Sequence, residues 1–308
     1  MGMLRFNKAL ICLAILAVAL SAVAQSAAKD PESKLFDAGK LIEDVRVLSA
    51  DDMEGRSLDR PSITKAREYI KKRFIEVGLQ PTEQAFDVRM RGQESPAKGI
   101  NYVATIKGKK NADRYIVITA HYDHLGIRTG ETFNGADDNA SGTAALFAIA
   151  SYFKNHRPDH SLIFVALDAE EKGLVGARHF VANPPVEKES IVLNVNMDMI
   201  GRNDRGELYA AGAFSYPQLK PILEKVQAKA PVKLLLGHDD PKLGMGDWTN
   251  QSDQAAFHAA KIPFIYFGVE DHKDYHRSTD DFAGIQPEFY VKAVETIIQA
   301  LRALDGSR

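Results

Sequence analysis

Four stretches of the chain are apolar at nearly every position yet short for helices: 114–120 (RYIVITA), 161–168 (SLIFVALD), 191–196 (IVLNVN) and 263–268 (PFIYFG). Runs of this length, rich in Val, Ile and Phe, predict strands buried on both faces. Elsewhere the apolar spacing changes to three and four. Ala66, Ile70 and Phe74 share one face of a helix predicted over 63–77, which Gly78 stops. Leu146, Ile149, Ala150 and Phe153 do the same over 142–155, with Ser141 as the expected cap. Further helices are expected over 35–49, from beyond Glu171 to Pro184-Pro185, over 217–229 and over 286–304. Segments 84–88 and 101–106 read as strands, with the polar stretch 91–99 as a loop between them and 238–250, rich in Gly and Asp, as another loop. Strand and helix alternate through the middle. The pattern therefore predicts a single α/β domain with a central mixed, mostly parallel β-sheet flanked by helices.

A hydrophobic content of 45% and a charged content of 26% are ordinary for a globular chain of 308 residues. The formal charge is −2, from 39 basic and 41 acidic side chains. It becomes −4 if Arg5 and Lys8 are removed with the N-terminus. A mildly acidic surface gives no electrostatic reason to expect nucleic acid or anionic membrane as a partner. Removal is expected because Arg5 and Lys8, the apolar run 9–19 and Ala22-Val23-Ala24 form the three parts of a secretory signal. The expected organisation is a signal peptide over 1–24, a polar lead-in over 25–33 and one globular domain over 34–308, exported to the periplasm or beyond. Cys12, the only cysteine, lies in the signal segment, so the mature chain would have neither disulfides nor thiolate ligands. Oligomeric state is not legible at this level.

Five side chains able to bind metal stand at the ends of these runs: His121, Asp138, Glu171, Asp198 and His276. In open α/β sheets ligands bind beyond the carboxyl ends of the strands, so donors scattered along the chain would meet at one edge. Imidazole and carboxylate without sulfur suit zinc, with cobalt or manganese as substitutes. Five donors are too many for one catalytic zinc. They suit two ions about 3.5–4 Å apart that share a carboxylate, with Asp138 as the bridge and one His and one acid left for each. Asp123 is expected to accept the second imidazole N–H of His121. Of the adjacent pair Glu170-Glu171, one carboxylate can bind metal while the other meets its water, which is the chemistry of metal-assisted amide hydrolysis.

The blocks AHYDHLG (120–126), NGADDNASG (134–142), LDAEEKGLVGARHF (167–180), NMDMIGR (196–202) and DYHRSTDDF (274–282) resemble, in this order, the di-zinc aminopeptidases of peptidase family M28. Segments 48–56 and 78–81 resemble the entry segment of bacterial, exported members. The resemblance implies the zinc-dependent exopeptidase (phosphorylase/hydrolase-like) fold and two zinc ions per chain. It implies His121 and Asp198 on one ion, Glu171 and His276 on the other, and Asp138 between them. Glu170 becomes the general base and acid, Asp123 the partner of His121, and Tyr275 an aid in polarising the scissile carbonyl. A cis peptide at Asp138-Asn139 is implied as well. The implied substrate is a peptide with a free N-terminus, and no membrane partner is expected after signal cleavage. The alternatives on the same architecture are a glutaminyl-peptide cyclotransferase and a carboxypeptidase or amidohydrolase. Two departures stand out: Ser57-Leu-Asp-Arg-Pro61 where many members are Gly-rich, and Gln254 where a His is frequent. His124, His179, His258 and His272 are given no ligand role, although His124 and His272 are placed near the site. Trp248 and Tyr266 are read as packing or pocket wall, and Asp280-Asp281 as a cap or turn.

Overall fold

The computed structural model describes residues 31–90, 92 and 94–307. The expected signal segment and most of the polar lead-in lie outside these residues. The strands in chain order are β1 (Thr82–Val88), β2 (Ala97–Ile106), β3 (Asn111–His121), β4 (Gly126–Arg128), β5 (Glu131–Phe133), β6 (His160–Leu167), β7 (Ile191–Met197), β8 (Glu207–Ala211), β9 (Lys233–Leu236) and β10 (Phe264–Gly268). The helices are α1 (Ala38–Leu48), α2 (Ile63–Glu76), α3 (Gly142–Asn155), α4 (Val175–Ala182), α5 (Lys220–Gln227), α6 (Gln254–Ala259) and α7 (Pro287–Gly306). Eight strands form one sheet in the order β1-β2-β6-β3-β7-β10-β8-β9, and β4-β5 is a separate hairpin. β6, β3, β7 and β10 run parallel, while β1, β2 and the β8–β9 edge join through antiparallel pairs. The sheet is thus mixed, with the parallel centre that the four apolar runs predict.

Every residue of β6 and β7 is buried because helices cover both faces. Alternation assigns side chains to the two layers. Leu162, Phe164 and Ala166 join the large core with Leu41 of α1, Leu146 of α3, Leu223 of α5 and Ile297 of α7. Ile163, Val165 and Leu167 face the opposite layer with Phe180 of α4 and Phe257 of α6. At roughly 25 cal/mol per Å² of buried apolar surface, about 1.5–3 kcal/mol for each large side chain, these two layers hold the sheet.

Two local expectations are corrected. The polar stretch 91–99 is not all loop, since β2 starts at Ala97 and pairs there with Val88. Antiparallel pairing with β1 satisfies this backbone in spite of its polar composition. Ser141 does not cap α3 through its side chain. Its Oγ donates to the Asp137 carbonyl at 2.7 Å and accepts from the Ile200 N–H at 3.1 Å, because the chain enters α3 through a wide helical turn, Ala136–Ser141.

Candidate metal centre

From β3 the chain moves to β6 on one side and later to β7 on the other. Such a switch of direction opens a crevice beyond the strand ends. His121 ends β3, Asp198 follows β7, and Glu170-Glu171 lie just past β6. Thr119 is in register with Asn196, which brings His121 level with Asp198 two residues on. The loop after β10 supplies Tyr275 and His276, and Asp138 comes from the turn before α3. The backbone here is unusual. Ala169, Met199 and His276 all have left-handed φ, at 61°, 57° and 53°, a conformation costing roughly 1–3 kcal/mol for each non-glycine residue. Such outliers cluster where a constellation of side chains must converge. The Asp138-Asn139 peptide is cis, as the family resemblance implies.

The structure brings all five expected ligand residues together, in two pockets that meet at Asp138. In the first, His121 Nε2 stands 3.3 Å from Asp198 Oδ1 and 3.4 Å from Asp138 Oδ1. In the second, His276 Nε2 stands 3.1 Å from Asp138 Oδ2 and 3.6 Å from Glu171 Oε1. One carboxylate thus presents one oxygen to each pocket. Tetrahedral zinc with donors at about 2.0–2.1 Å separates them by roughly 3.3 Å, close to the distances observed. The donor set fits zinc.

Without an ion, this crowding shifts protons. Burial acts against a charged His121, yet Asp198, Glu170 and Asp138 together push its pKa well above the ordinary imidazole value. His276 is raised in the same way, burial being outweighed by Asp138 and Glu171. Asp138 is lowered, because His124, His276 and His121 outweigh its burial. Burial pushes Glu170 well above the usual carboxylate range, and Asp253, Asp198 and Glu171 add to this against His121. Asp253 is pushed up to about 7 by burial and Asp198, with His121 opposing. Neither of its carboxylate oxygens has a hydrogen-bond partner among the described residues.

The expected bond from His121 to the Asp123 carboxylate is corrected. Nδ1 lies 3.8 Å from Asp123 Oδ1 and instead bonds the Asp123 backbone carbonyl at 3.1 Å. The carboxylate is occupied elsewhere, accepting the backbone N–H groups of Glu170 at 3.0 Å and Glu171 at 3.3 Å. It holds the turn that aims both glutamates. Asp280 is more than a turn residue, for its carboxylate accepts from the backbone of Asp137 and Asp138. Asp137 in turn accepts from Gly201 N–H at 2.6 Å and contacts His272 Nε2 at 3.1 Å. Arg56 is fully buried and donates to the carbonyls of Leu48, Tyr122, Asn134 and Gly135 at 2.6–2.8 Å. The strand end and the Asp138 turn are thereby tied together. Gln254 bonds Asn196 at 2.9 Å and the Trp248 carbonyl at 2.7 Å, so this departure serves the floor beneath the site.

Glu170, Glu171, Asp198, Tyr275 and His276 line a cleft of about 320 Å³, with Trp248, Tyr266 and Leu174 among its walls. The Tyr275 ring stacks on His276 at 4.0 Å between centroids. Sequence reasoning gave no ligand role to His124, which lies 2.9 Å from Glu171 Oε1 and 3.6 Å from Asp138 Oδ2. Its position three residues beyond His121, in the same strand-end turn, was the available signal.

An α/β sheet whose switch-point crevice holds two adjoining nitrogen–oxygen pockets is organised to hold metal. Residues 101–301 match peptidase family M28, and the chain belongs to that family. It is 30% identical over 184 residues to a probable zinc metalloprotease of Pyricularia oryzae, covering 56% of this chain and 36% of that protein. It is 28% identical over 212 residues to the aminopeptidase YwaD of Bacillus subtilis, covering 64% of this chain and 43% of the relative. The chain therefore spans less than half the length of either. In fold it is similar to the glutaminyl cyclase of Porphyromonas gingivalis, with a TM-score of 0.70 and 17% identity over 87% of this chain and 99% of that one.

Proposed function

We propose that this chain is an exported, two-zinc aminopeptidase that removes N-terminal residues from peptides. The observation that carries the reading is the sharing of Asp138, whose two oxygens face two separate His–carboxylate pockets, with Glu170 beside them on the cleft wall. His121, Asp138 and Asp198 would hold one ion, and Asp138, Glu171 and His276 the other. When bound, such ions polarise a carbonyl and lower the pKa of water from 15.7 towards roughly 7. Glu170, on the cleft wall beside both pockets, takes the proton of the attacking water and returns it to the departing amine. The water oxygen first forms the new C–O bond to the carbonyl carbon, and the C–N bond then breaks as the amine nitrogen receives the proton. Asp123 keeps the Glu170-Glu171 turn in place, and Tyr275, which lines the cleft, donates to the substrate carbonyl in this reading. Acidic Glu170 and Asp271 in the cleft favour a free ammonium over a free carboxylate. Export rests on the N-terminal signal pattern.

The test is incubation of the purified, zinc-loaded protein with matched free and N-acetylated peptides, followed by product identification. Release of the N-terminal residue from the free peptide alone is expected. Cleavage of the acetylated peptide from its carboxyl end would make the protein a carboxypeptidase. Conversion of an N-terminal Gln to pyroglutamate without hydrolysis would make it a cyclotransferase.

A further inference from the structure

His124 is completely buried, and neither of its ring nitrogens has a hydrogen-bond partner among the described residues. Glu171 Oε1, 2.9 Å from its Nδ1, is also buried and has no hydrogen-bond partner among the described residues. Buried polar atoms are almost always satisfied, so two facing orphans at 2.9 Å call for a third party. The contact is short but lies outside hydrogen-bond geometry. Two ligands of one ion stand in this relation, since each aims at the ion rather than at its neighbour. His124 Nδ1, Asp138 Oδ2 and Glu171 Oε1 lie mutually within 4.8 Å, and His276 Nε2 borders the same two oxygens at 3.1 and 3.6 Å. The backbone makes room for the ring. A Cβ at Gly135, where φ is +57°, would come within 2.5 Å of His124 Cγ and Cδ2.

We infer that His124 Nδ1 is a ligand of the ion held by Glu171 and His276, an assignment that rests on the two-zinc reading. The centre is then asymmetric. That ion has four protein donors, two of them imidazoles, whereas its neighbour has three: His121, Asp138 and Asp198. Four donors complete a tetrahedron, and three leave a position open for water or substrate. The ion beside His121 is therefore the more exchangeable of the two.

The test is zinc titration of the metal-free full chain against a competing chelator, with His124→Ala in parallel. The wild type should bind two ions, the tighter one between Glu171 and His276. In the variant, affinity for that ion should fall by about 100-fold or more, beyond the roughly 10–100-fold typical of groups acting behind a ligand, while the other ion keeps its affinity. Two ions bound with unchanged affinities by a folded variant would overturn the assignment. A zinc-loaded wild-type crystal structure decides the matter even if the variant does not fold. Nδ1 at about 2.0–2.1 Å from the ion supports it, and an ion between Glu171 and His276 that the ring does not reach overturns it. Absence of any second ion in the wild type would instead remove the two-zinc reading, and this inference with it.

Discussion

Asp280 Oδ2 accepts the backbone N–H of Asp138 at 3.0 Å, across 142 positions of sequence. The same carboxylate accepts the Asp137 N–H at 3.1 and 3.2 Å. The residue shared by both pockets is therefore held by its main chain, leaving both side-chain oxygens for metal. Asp280→Ala should cost about 1–3 kcal/mol through unpaired buried amides and weaken zinc binding by roughly 10–100-fold. Urea unfolding of the metal-free chain and chelator competition measure the two effects. Wild-type values for both would show that the Asp138 turn holds itself.

Asp123 stands in the same relation to the Glu170-Glu171 turn. Asp123→Ala should lower turnover by about 10–100-fold and weaken the ion at Glu171 more than the ion at His121. Equal loss at both ions would mean that the bond from the Asp123 carbonyl to His121 matters more than the carboxylate.

Glu170 lines the cleft without belonging to either donor pocket. Glu170→Gln should keep both zinc ions and lose roughly 10²–10⁴-fold in kcat, the range for a lost general acid–base. Metal analysis beside steady-state kinetics is the check. Turnover at the wild-type rate would remove Glu170 from the proton transfer.

The pH dependence of the metal-free protein has a definite sign. His121 and His276 have raised pKa values, Asp253 is pushed up to about 7 and Asp280 to about 6, by burial and, in order, Asp198 and Asp137. Each raised group keeps its proton in the folded chain at a pH where the unfolded chain has released it. The stability of the raised imidazoles is fully present below their unfolded pKa and is lost as pH climbs through the folded value. The buried acids lose theirs over the interval from the unfolded to the folded pKa. Stability should thus fall as pH rises from about 4 through about 7, and further through the raised imidazole values. Zinc, which displaces these protons, should flatten that slope and bind more tightly as pH rises. A Tm that climbs with pH in the metal-free protein would contradict the charge arrangement.

Arg56 stabilises through hydrogen bonds to four carbonyls rather than through an adjacent acid. Burial lowers its pKa to about 10, against the attraction of Asp138 and Asp280, so it stays charged at neutral pH. Arg56→Leu should cost several kcal/mol, since each buried carbonyl left without a donor costs about 1–3 kcal/mol. Denaturant midpoints compare it with the wild type, and a loss below 1 kcal/mol would mean that water replaces the guanidinium.

The apolar runs alone determined where β3, β6, β7 and β10 fall, and hence that His121, Glu171 and Asp198 share an edge. A fully buried strand must be apolar throughout, and the first polar residue past it marks where the chain leaves the core. The family likeness supplied the pairing of donors, which burial patterns do not encode. Only the tertiary structure decided that His124 joins the second pocket, that Asp123 uses its carbonyl on His121 and its carboxylate on Glu170-Glu171, and that Asp280 and Arg56 hold the Asp138 turn. Those choices depend on backbone amides and carbonyls, which every residue carries and no sequence pattern distinguishes. Packing brings them to 2.6–3.3 Å from a side chain, most of these from a distant segment, and this proximity selects the partner.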